Sequence, residues 1–194
     1  MKHSEACERN KGPILEILEV HFRERYKILE IGSGTGQHAV YFANTLSHLT
    51  WQTSDLNENL PDLKERISSE GGPNVELPLE LDVTVHPWPV EKADGVFTAN
   101  TLHIMPWAFV PDFFAGTGKV LRDGGVLCIY GPFKYKGHFT SDSNKDFDGW
   151  LKSKNSKSGI RDFEEVDKLA SGQGFNLVSD YSMPANNQLI VWEK

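Results

Sequence analysis

A glycine-rich turn and an acidic residue beyond it are the chemically most informative features of this 194-residue sequence. Gly32, Gly34 and Gly36 follow a short apolar run, and glycine lets the backbone turn sharply and approach a ligand closely. Asp55 closes the next strand-like run. Because neighbouring strand ends form the ligand crevice of a doubly wound sheet, the Asp55 carboxylate can accept hydrogen bonds from both hydroxyls of a ribose. Together these residues predict a ligand with a ribosyl-adenine group.

The spacing of the glycines distinguishes between two classes of nucleotide-like ligand. The dinucleotide fingerprint requires a third glycine where this sequence has Gln37, which disfavours NAD. The turn, preceded by the acidic Glu30, resembles the first motif of class I methyltransferases that use S-adenosylmethionine (SAM). That resemblance implies that the turn cradles the amino-acid part of SAM. The alternative is an ordinary strand-to-helix turn that binds no ligand.

The secondary-structure elements that would position these residues can be inferred from the sequence. Strand-like runs alternate with helical patterns along the chain. This alternation predicts a Rossmann-like, doubly wound, mostly parallel seven-stranded sheet in three α/β/α layers. The last two strands leave no room for a helix between them, so we expect an antiparallel last strand. We interpret residues 1–194 as a single domain, with an N-terminal helix within 1–26 that has Pro13 near its start. Residues 133–162 are expected to form an irregular lid or insert.

Further segments resemble the same superfamily in the expected order. The segment around Asp82 and Val83 is similar to the one that contacts adenine in class I methyltransferases. By that resemblance, the Asp82 carboxylate accepts from the adenine amine and the Val83 N–H donates to the ring. Asn100 follows the fourth strand, as a similar segment does in many members, and is expected to hydrogen-bond cofactor or substrate.

A closer resemblance is to the methyltransferase-like protein 26 family, a domain of unknown function. It rests on residues 6–11, 99–107, 130–135 and 183–187. This resemblance spans nearly the whole chain. It implies a SAM-binding fold and no particular substrate.

Methyl transfer requires alignment of the nucleophile and exclusion of water, so a dedicated catalytic residue is not obligatory. His103, just past the fourth strand, is the candidate base, since its ordinary pKa of about 6.5 suits proton removal. The alternative is a histidine that packs under the lid or contacts cofactor backbone. Tyr130 is the second catalytic candidate. With Phe133 and Tyr135 it could form an aromatic wall beside the sulfonium. The alternative for Tyr130 is an ordinary position in the core.

Three other residues are candidates for acceptor binding, in addition to Tyr135. Arg9 and Asn10 would reach the SAM carboxylate or the acceptor if their segment folds over the crevice. The alternative for both is a role in helix entry. Asn186 lies in the turn before the last strand, where asparagine also serves simply to form turns. His38 is interpreted as a capping or packing residue.

Composition limits the binding partners and the cellular compartment that we expect for this protein. A net charge of −7 argues against general nucleic-acid binding, which requires clustered Lys and Arg. No apolar run approaches the roughly 20 residues that cross a bilayer, and neither a metal site nor a disulfide framework is expected from two cysteines. These features favour a cytoplasmic protein.

The sequence therefore predicts a SAM-dependent methyltransferase that acts on an unidentified small molecule or side chain. One alternative is a SAM-binding scaffold or sensor without turnover. Another is a related transferase or an NAD-dependent oxidoreductase.

Overall fold

The computed structural model describes residues 3–194, so residues 1 and 2 of the predicted N-terminal helix lie outside the described part. Helices and strands alternate around one large sheet, beside which lies a small one. The strands are β1 Lys27–Ile31, β2 Thr50–Asp55, β3 Val75–Glu80, β4 Ala93–Ala99, β5 Leu121–Gly131, β6 Phe133–Tyr135, β7 His138–Phe139, β8 Arg161–Asp162, β9 Asn176–Met183 and β10 Asn187–Glu193. The helices are α1 Glu5–His21, α2 Gln37–Thr45, α3 Leu60–Glu70, α4 Val110–Val120, α5 Asp142–Lys154 and α6 Phe163–Gly172.

The large sheet contains seven strands in the order β3-β2-β1-β4-β5-β10-β9. β1 pairs in parallel with β2 and β4, and the β2–β3 and β4–β5 pairs are also parallel. β10 runs antiparallel to both of its neighbours, β5 and β9. The strand order reverses at β1 and β4, which is the place where doubly wound sheets bind ligands. The predicted Rossmann-like, mostly parallel sheet with an antiparallel last strand is confirmed.

Apolar side chains are buried on both faces of the sheet, as expected for a parallel sheet covered by helices on both sides. On one face, Ile28 and Phe97 pack with α1 and α2. On the other, Leu29 and Val96 pack with α4 and α6. Cys128 is fully buried in the first of these clusters, as its apolar surroundings in the sequence predict.

The N-terminal helix begins earlier than predicted. α1 starts at Glu5, and Pro13 lies inside it instead of near its start. The Ser4 side chain accepts from the Cys7 N–H at 3.4 Å and caps the first turn. Pro13 removes one backbone hydrogen bond, and burial of Ile14 and Leu18 against the sheet offsets that loss.

The segment 133–162 is ordered, and the expectation of an irregular stretch is wrong. It contains the three short strands of the second sheet, in the order β7-β6-β8, and the helix α5. The inward face of α5 is partly polar, because Asp148 is buried there and accepts from the Ile160 N–H at 2.7 Å and from Lys152 Nζ at 2.6 Å. A helix whose buried face carries a carboxylate lacks the apolar periodicity that sequence patterns detect.

Between residues 3 and 194, no helix is both long and apolar enough to cross a membrane.

Candidate functional site

A cavity of about 580 Å³ lies at the carboxyl edge of the parallel strands, within the range typical of small-molecule sites. Its wall follows the strand order, from the end of β3 across β2 and β1 to the end of β4. Six of the eight residues predicted to bind the cofactor line it: Gly32, Gly34, Asp55, Asp82, Val83 and Asn100. The structure therefore brings together residues that are far apart in the sequence.

The glycine turn has the conformation that its composition predicts. Gly32 and Gly34 have φ angles of +71° and +54°, which side chains rarely adopt. A Cβ on Gly32 would lie 2.8 Å from Thr101 Oγ1, so the turn packs closely against the segment after β4. A Cβ on Gly34 would have no neighbour within 4 Å, because this backbone borders the open cavity. The turn thus leaves room for a ligand directly against the main chain.

Asp55 ends β2 and faces the cavity, where it is already hydrogen-bonded. Its Oδ2 accepts from the Gly34 N–H at 2.6 Å. Its Oδ1 accepts from the Leu56 N–H at 2.8 Å and from Asn59 Nδ2 at 2.7 Å. A carboxylate has about four acceptor positions, so one remains for a ribose hydroxyl unless the Gly34 bond opens.

The two residues expected near adenine have groups available for it. Asp82 uses Oδ1 for the Thr84 N–H and hydroxyl, at 2.9 and 2.7 Å, while Oδ2 has no hydrogen bond among residues 3–194. The Val83 carbonyl accepts from the Trp88 ring N–H at 3.2 Å, and its N–H makes no hydrogen bond within the described chain. One free acceptor beside one free donor fits the edge of an adenine ring.

Asn100 enters the cavity from the end of β4. Its φ of +58° lies in the left-handed region, which asparagine tolerates better than most residues. Its N–H donates to the Tyr130 carbonyl at 2.8 Å and fixes the turn. Asn100 therefore faces the same space as the glycine turn, on the side opposite Asp82.

Glu30 and Gly36 support the turn from behind and are not part of the cavity wall. Glu30 is buried, and its Oε2 accepts from the Ser33 hydroxyl and the Trp51 ring N–H, both at 3.0 Å. Burial raises the pKa of Glu30 to about 7, an effect that these two hydrogen bonds partly oppose. A Cβ on Gly36 would lie 2.8 Å from Leu63, so this glycine permits α3 to pack against the turn.

The first turns of α1 cover the glycine turn. Ser4 and Cys7 line the cavity, and Gln37 holds the helix in place. Gln37 Oε1 accepts from the Ser4 N–H at 2.6 Å, and its Nε2 donates to Glu8 Oε1 at 2.9 Å. The residue that replaces the third glycine of the dinucleotide fingerprint thus anchors the N-terminal helix.

A polar cluster of Asn10, His38, Tyr130 and Asn187 lies next to this cover, and only Asn187 of the four is half-buried rather than buried. His38 is on the cavity wall, and its Nε2 lies 2.7 Å from Asn10 Oδ1. Burial lowers the pKa of His38 to about 4, so the ring is neutral at pH 7. The Tyr130 hydroxyl lies beside the amides of Asn10 and Asn187, which oppose the rise in its pKa caused by burial.

The family to which the chain belongs follows from its sequence. A family model described as "Protein of unknown function (DUF938)" matches residues 1–194. The chain belongs to this family.

Solved structures resemble the DUF938 chain in fold. They include an O-methyltransferase family protein from Burkholderia thailandensis, which is 16% identical with a TM-score of 0.85 over 98% of this chain and 57% of its own. An O-methyltransferase family 2 protein from Planctomyces limnophilus in complex with apigenin is 21% identical, with a TM-score of 0.76 over 88% and 51%. Human N-acetylserotonin methyltransferase in complex with SAM is 16% identical, with a TM-score of 0.74 over 97% and 58%.

The chain spans little more than half the length of these proteins. At such low identity the likeness shows the fold alone. The DUF938 chain therefore has the class I methyltransferase fold.

The two residues predicted to be catalytic are not on the cavity wall. His103 is 5% exposed, packs edge-on against Phe147 of α5, and lies against Gly131, where a Cβ would be 3.5 Å from its Nδ1. Burial, with a smaller contribution from Arg161, lowers the pKa of His103 to about 4. Tyr130 is 3% exposed, and its hydroxyl lies beside the side-chain amide of Asn10.

The residues predicted to bind the acceptor are scattered. Arg9 is exposed on α1, whereas Asn10 is buried in the polar cluster. The Tyr135 hydroxyl donates to Asp180 Oδ2 at 2.6 Å, away from the cavity. Asn186 joins its turn to α5, since its carbonyl accepts from Asn144 Nδ2 at 2.9 Å.

Sequence reasoning missed Ser4, Cys7 and His38 as parts of the cavity wall. Their position depends on how α1 docks on the glycine turn. The sequence contains one sign of this docking: Gln37, which contacts α1, occupies the position of the third glycine of the dinucleotide fingerprint.

Proposed function

We propose that this protein is a SAM-dependent methyltransferase that transfers the sulfonium methyl group to a small molecule or a side chain. The observation that carries the proposal is that the glycine turn, Asp55, Asp82, Val83 and Asn100 all line the same cavity. The fold that it shares with solved methyltransferases supports it. The complex of human N-acetylserotonin methyltransferase with SAM supports SAM as the cofactor.

When bound, SAM supplies an electrophilic methyl group. The residues of the chain would bind and orient the cofactor and shield it from water. Asp55 would hold a ribose hydroxyl, and Asp82 with the Val83 N–H would hold the adenine edge. The main chain at Gly34 and the side chain of Asn100 would hold the amino-acid part. The first turn of α1, which the Ser4–Gln37 hydrogen bond holds against the glycine turn, would shield that end from water.

Isothermal titration with SAM and S-adenosylhomocysteine tests this assignment, and NAD serves as the comparison ligand. We expect saturable binding of both SAM compounds and none of NAD, since Gln37 occupies the position of the third glycine of the dinucleotide fingerprint. Absence of SAM binding at millimolar concentration, or preference for NAD, contradicts the proposal.

A non-catalytic SAM-binding scaffold or sensor is the second candidate function. The position of His103 and Tyr130 off the cavity wall favours it. This alternative predicts SAM binding without transfer of a labelled methyl group to any acceptor in a broad panel. Detection of a methylated product excludes it.

We further propose that the chain is a cytoplasmic, single-domain relative of the methyltransferase-like protein 26 family and acts on a partner that is not a nucleic acid. The four segments that carry the family resemblance surround the cavity or the polar cluster, in α1, after β4, after β5 and before β10. Localisation of a tagged chain and a gel-shift assay with RNA and DNA test these statements.

A further inference from the structure

Apolar side chains continue from the mouth of the cavity onto α5. Ile104 lines the cavity and is 57% exposed, and its carbonyl accepts from the Ser158 hydroxyl at 2.8 Å, which joins the mouth to the segment after α5. Trp150 of α5 is 55% exposed, and its ring stacks on Phe147 with the ring centroids 5.8 Å apart. The Phe147 ring packs edge-on against His103, the residue before Ile104. These contacts place Phe147 and Trp150 beside the mouth at Ile104, and we call the three residues the α5 patch.

The α5 patch extends beyond the cavity. Asn155, at the end of α5, lines the cavity, whereas Trp150 and Phe147 do not. Trp150 lies five residues before Asn155, which is about 7.5 Å along the helix axis. A small molecule held in the cavity would leave this part of the patch in water. Exposed apolar side chains grouped at a site are typical of surfaces that bind a larger partner, and tryptophan is among the residues that contribute most to protein–protein binding.

The end of α5 next to the cavity is basic, although the whole chain has a net charge of −7. Residues 149–157 contain three lysines and no Asp or Glu. Lys152 is paired with a buried carboxylate at 2.6 Å. Lys154 and Lys157 are exposed, and Lys154 Nζ lies 6.0 Å from the centroid of the Trp150 ring. A partner that carries acidic side chains next to an apolar one complements this end, because opposite charges would orient it at the patch.

A protein segment suits this surface better than a nucleic acid does. Binding to a phosphate backbone requires many clustered Lys and Arg, whereas this end offers two lysines besides the paired Lys152. Asp142 and Asp146 lie near the other end of the same helix and would repel a phosphate backbone that ran along it. A short acidic segment of a protein needs only the basic end.

We propose that the methyl acceptor is a side chain of a protein, and that an acidic segment of this protein docks an apolar residue on the α5 patch, beside Lys154 and Lys157. The inference rests on the proposed function and specifies its acceptor. A lone pair of the acceptor side chain forms the new bond to the methyl carbon, and the C–S bond breaks with its electron pair passing to sulfur. The proton of an N–H or O–H nucleophile passes to water. The products are S-adenosylhomocysteine and the methylated protein.

Transfer of label from SAM tritiated in its methyl group tests the inference, with the full chain and an extract of cells that lack this protein. The products are separated into a protease-sensitive fraction, a nuclease-sensitive fraction and a filtrate of small molecules. We expect the label in the protease-sensitive fraction. Label that is found mainly in the filtrate or in the nuclease-sensitive fraction overturns the inference.

Trp150→Ala tests the apolar part of the α5 patch. We expect it to lower the labelling of protein at least fivefold. Its affinity for SAM, measured by calorimetry, should match that of the parent chain, because Trp150 is not on the cavity wall. The matched control is Tyr26→Ala, since Tyr26 is 73% exposed and precedes β1, at the edge of the sheet opposite the cavity. Labelling by Trp150→Ala equal to that by Tyr26→Ala overturns the inference.

A double charge reversal tests the basic part and decides the matter if Trp150→Ala does not fold. Lys154→Glu combined with Lys157→Glu should lower the labelling of protein at least fivefold, with unchanged affinity for SAM. The control combines Lys64→Glu with Lys168→Glu, which are exposed on α3 and α6 and change the net charge by the same amount. Equal labelling by the two double variants contradicts docking at the end of α5.

The same assay separates this inference from the proposed function. If the label enters only small molecules or nucleic acid, or enters protein equally with every variant, the inference is wrong and the methyltransferase assignment stands. If SAM binds and no fraction is labelled, the chain does not transfer methyl groups, and the inference fails together with the assignment.

Discussion

At the scale of single residues, Asp55 combines two roles, since it fixes the glycine turn and faces the cavity. Its bond to the Gly34 N–H, at 2.6 Å, couples the shape of the turn to the carboxylate that would bind the ribose in the proposed complex. Asp55→Ala should therefore weaken SAM binding about tenfold to a hundredfold, because hydrogen bonds to charged groups contribute roughly 1.5–3 kcal/mol. Isothermal titration measures the change.

Asp123→Ala is the matched control for this experiment, because the Asp123 side chain is fully exposed and outside the cavity. It should bind SAM like the parent chain. Equal affinity of the Asp55 and Asp123 variants would show that the ribose does not contact Asp55.

Glu30 makes stability depend on pH. Burial raises its pKa from the ordinary value of 4.5 to about 7, so the native chain retains a proton that the unfolded chain releases. Stability should therefore fall as the pH rises from about 4.5 to about 7, and change no further from this group above that range. Glu30→Gln keeps an oxygen for Ser33 and Trp51 but cannot ionise.

Urea denaturation at pH 5 and pH 8 tests the role of Glu30. At pH 8 the Glu30→Gln variant should be more stable than the parent by up to about 3 kcal/mol, and near pH 5 the gap should narrow. A difference that is the same at both pH values would mean that Glu30 does not titrate in this range.

At the scale of elements, α1 closes one end of the cavity through Gln37. Its two contacts, to the Ser4 N–H and to Glu8, join α2 to the first turn of α1. Gln37→Ala should accelerate SAM dissociation up to roughly tenfold, since each lost hydrogen bond costs about 0.5–1.5 kcal/mol. Competition with unlabelled cofactor in a stopped-flow instrument gives the rate.

Asn44→Ala serves as its control on the same helix, because the Asn44 side chain contacts the Glu70 carbonyl and the Gly72 N–H, away from the cavity. We expect its dissociation rate to match that of the parent chain. If both variants release SAM at the parental rate, α1 does not restrain the cofactor.

The elements that the sequence predicted well are those whose burial is apolar. The parallel sheet was predicted because strands buried on both faces are rich in apolar residues, as β4 is at Val96 and Phe97. α5 was not predicted because its inward face buries the polar Asn144 and Asp148 along with Leu151, so the sequence lacks an apolar helical pattern there. The start of α1 was misplaced because a proline was taken as a helix start when it lies within the helix.

The site was predictable to the extent that it is built from backbone turns and strand ends. The glycines, Asp55 and Asp82 occupy places that the strand order alone brings together. His38 and Cys7 reach the cavity through the docking of α1 on α2, a contact between helices that no local pattern encodes.

At the scale of the whole molecule, the connection between β3 and β4 contains no helix, and Trp88 fills the space on that face of the sheet. Its ring lies against Gly116 of α4, where a Cβ would be 2.1 Å away. Its ring N–H donates to the Val83 carbonyl at 3.2 Å, so the same tryptophan links the core to the cavity wall. Close packing at Gly116 is thus a condition both of stability and of the shape of the cavity wall at Val83.

Gly116→Ala should consequently destabilise the fold by about 1–3 kcal/mol, the usual cost of overpacking a filled core, as measured by chemical denaturation. Gly149→Ala is the matched helix variant in α5, where an added Cβ meets nothing within 4 Å. It should be neutral or stabilise by up to about 1 kcal/mol, because alanine favours a helix over glycine. If both variants have the stability of the parent chain, Trp88 does not fill this space in solution, and its link from the core to Val83 does not determine the shape of the cavity.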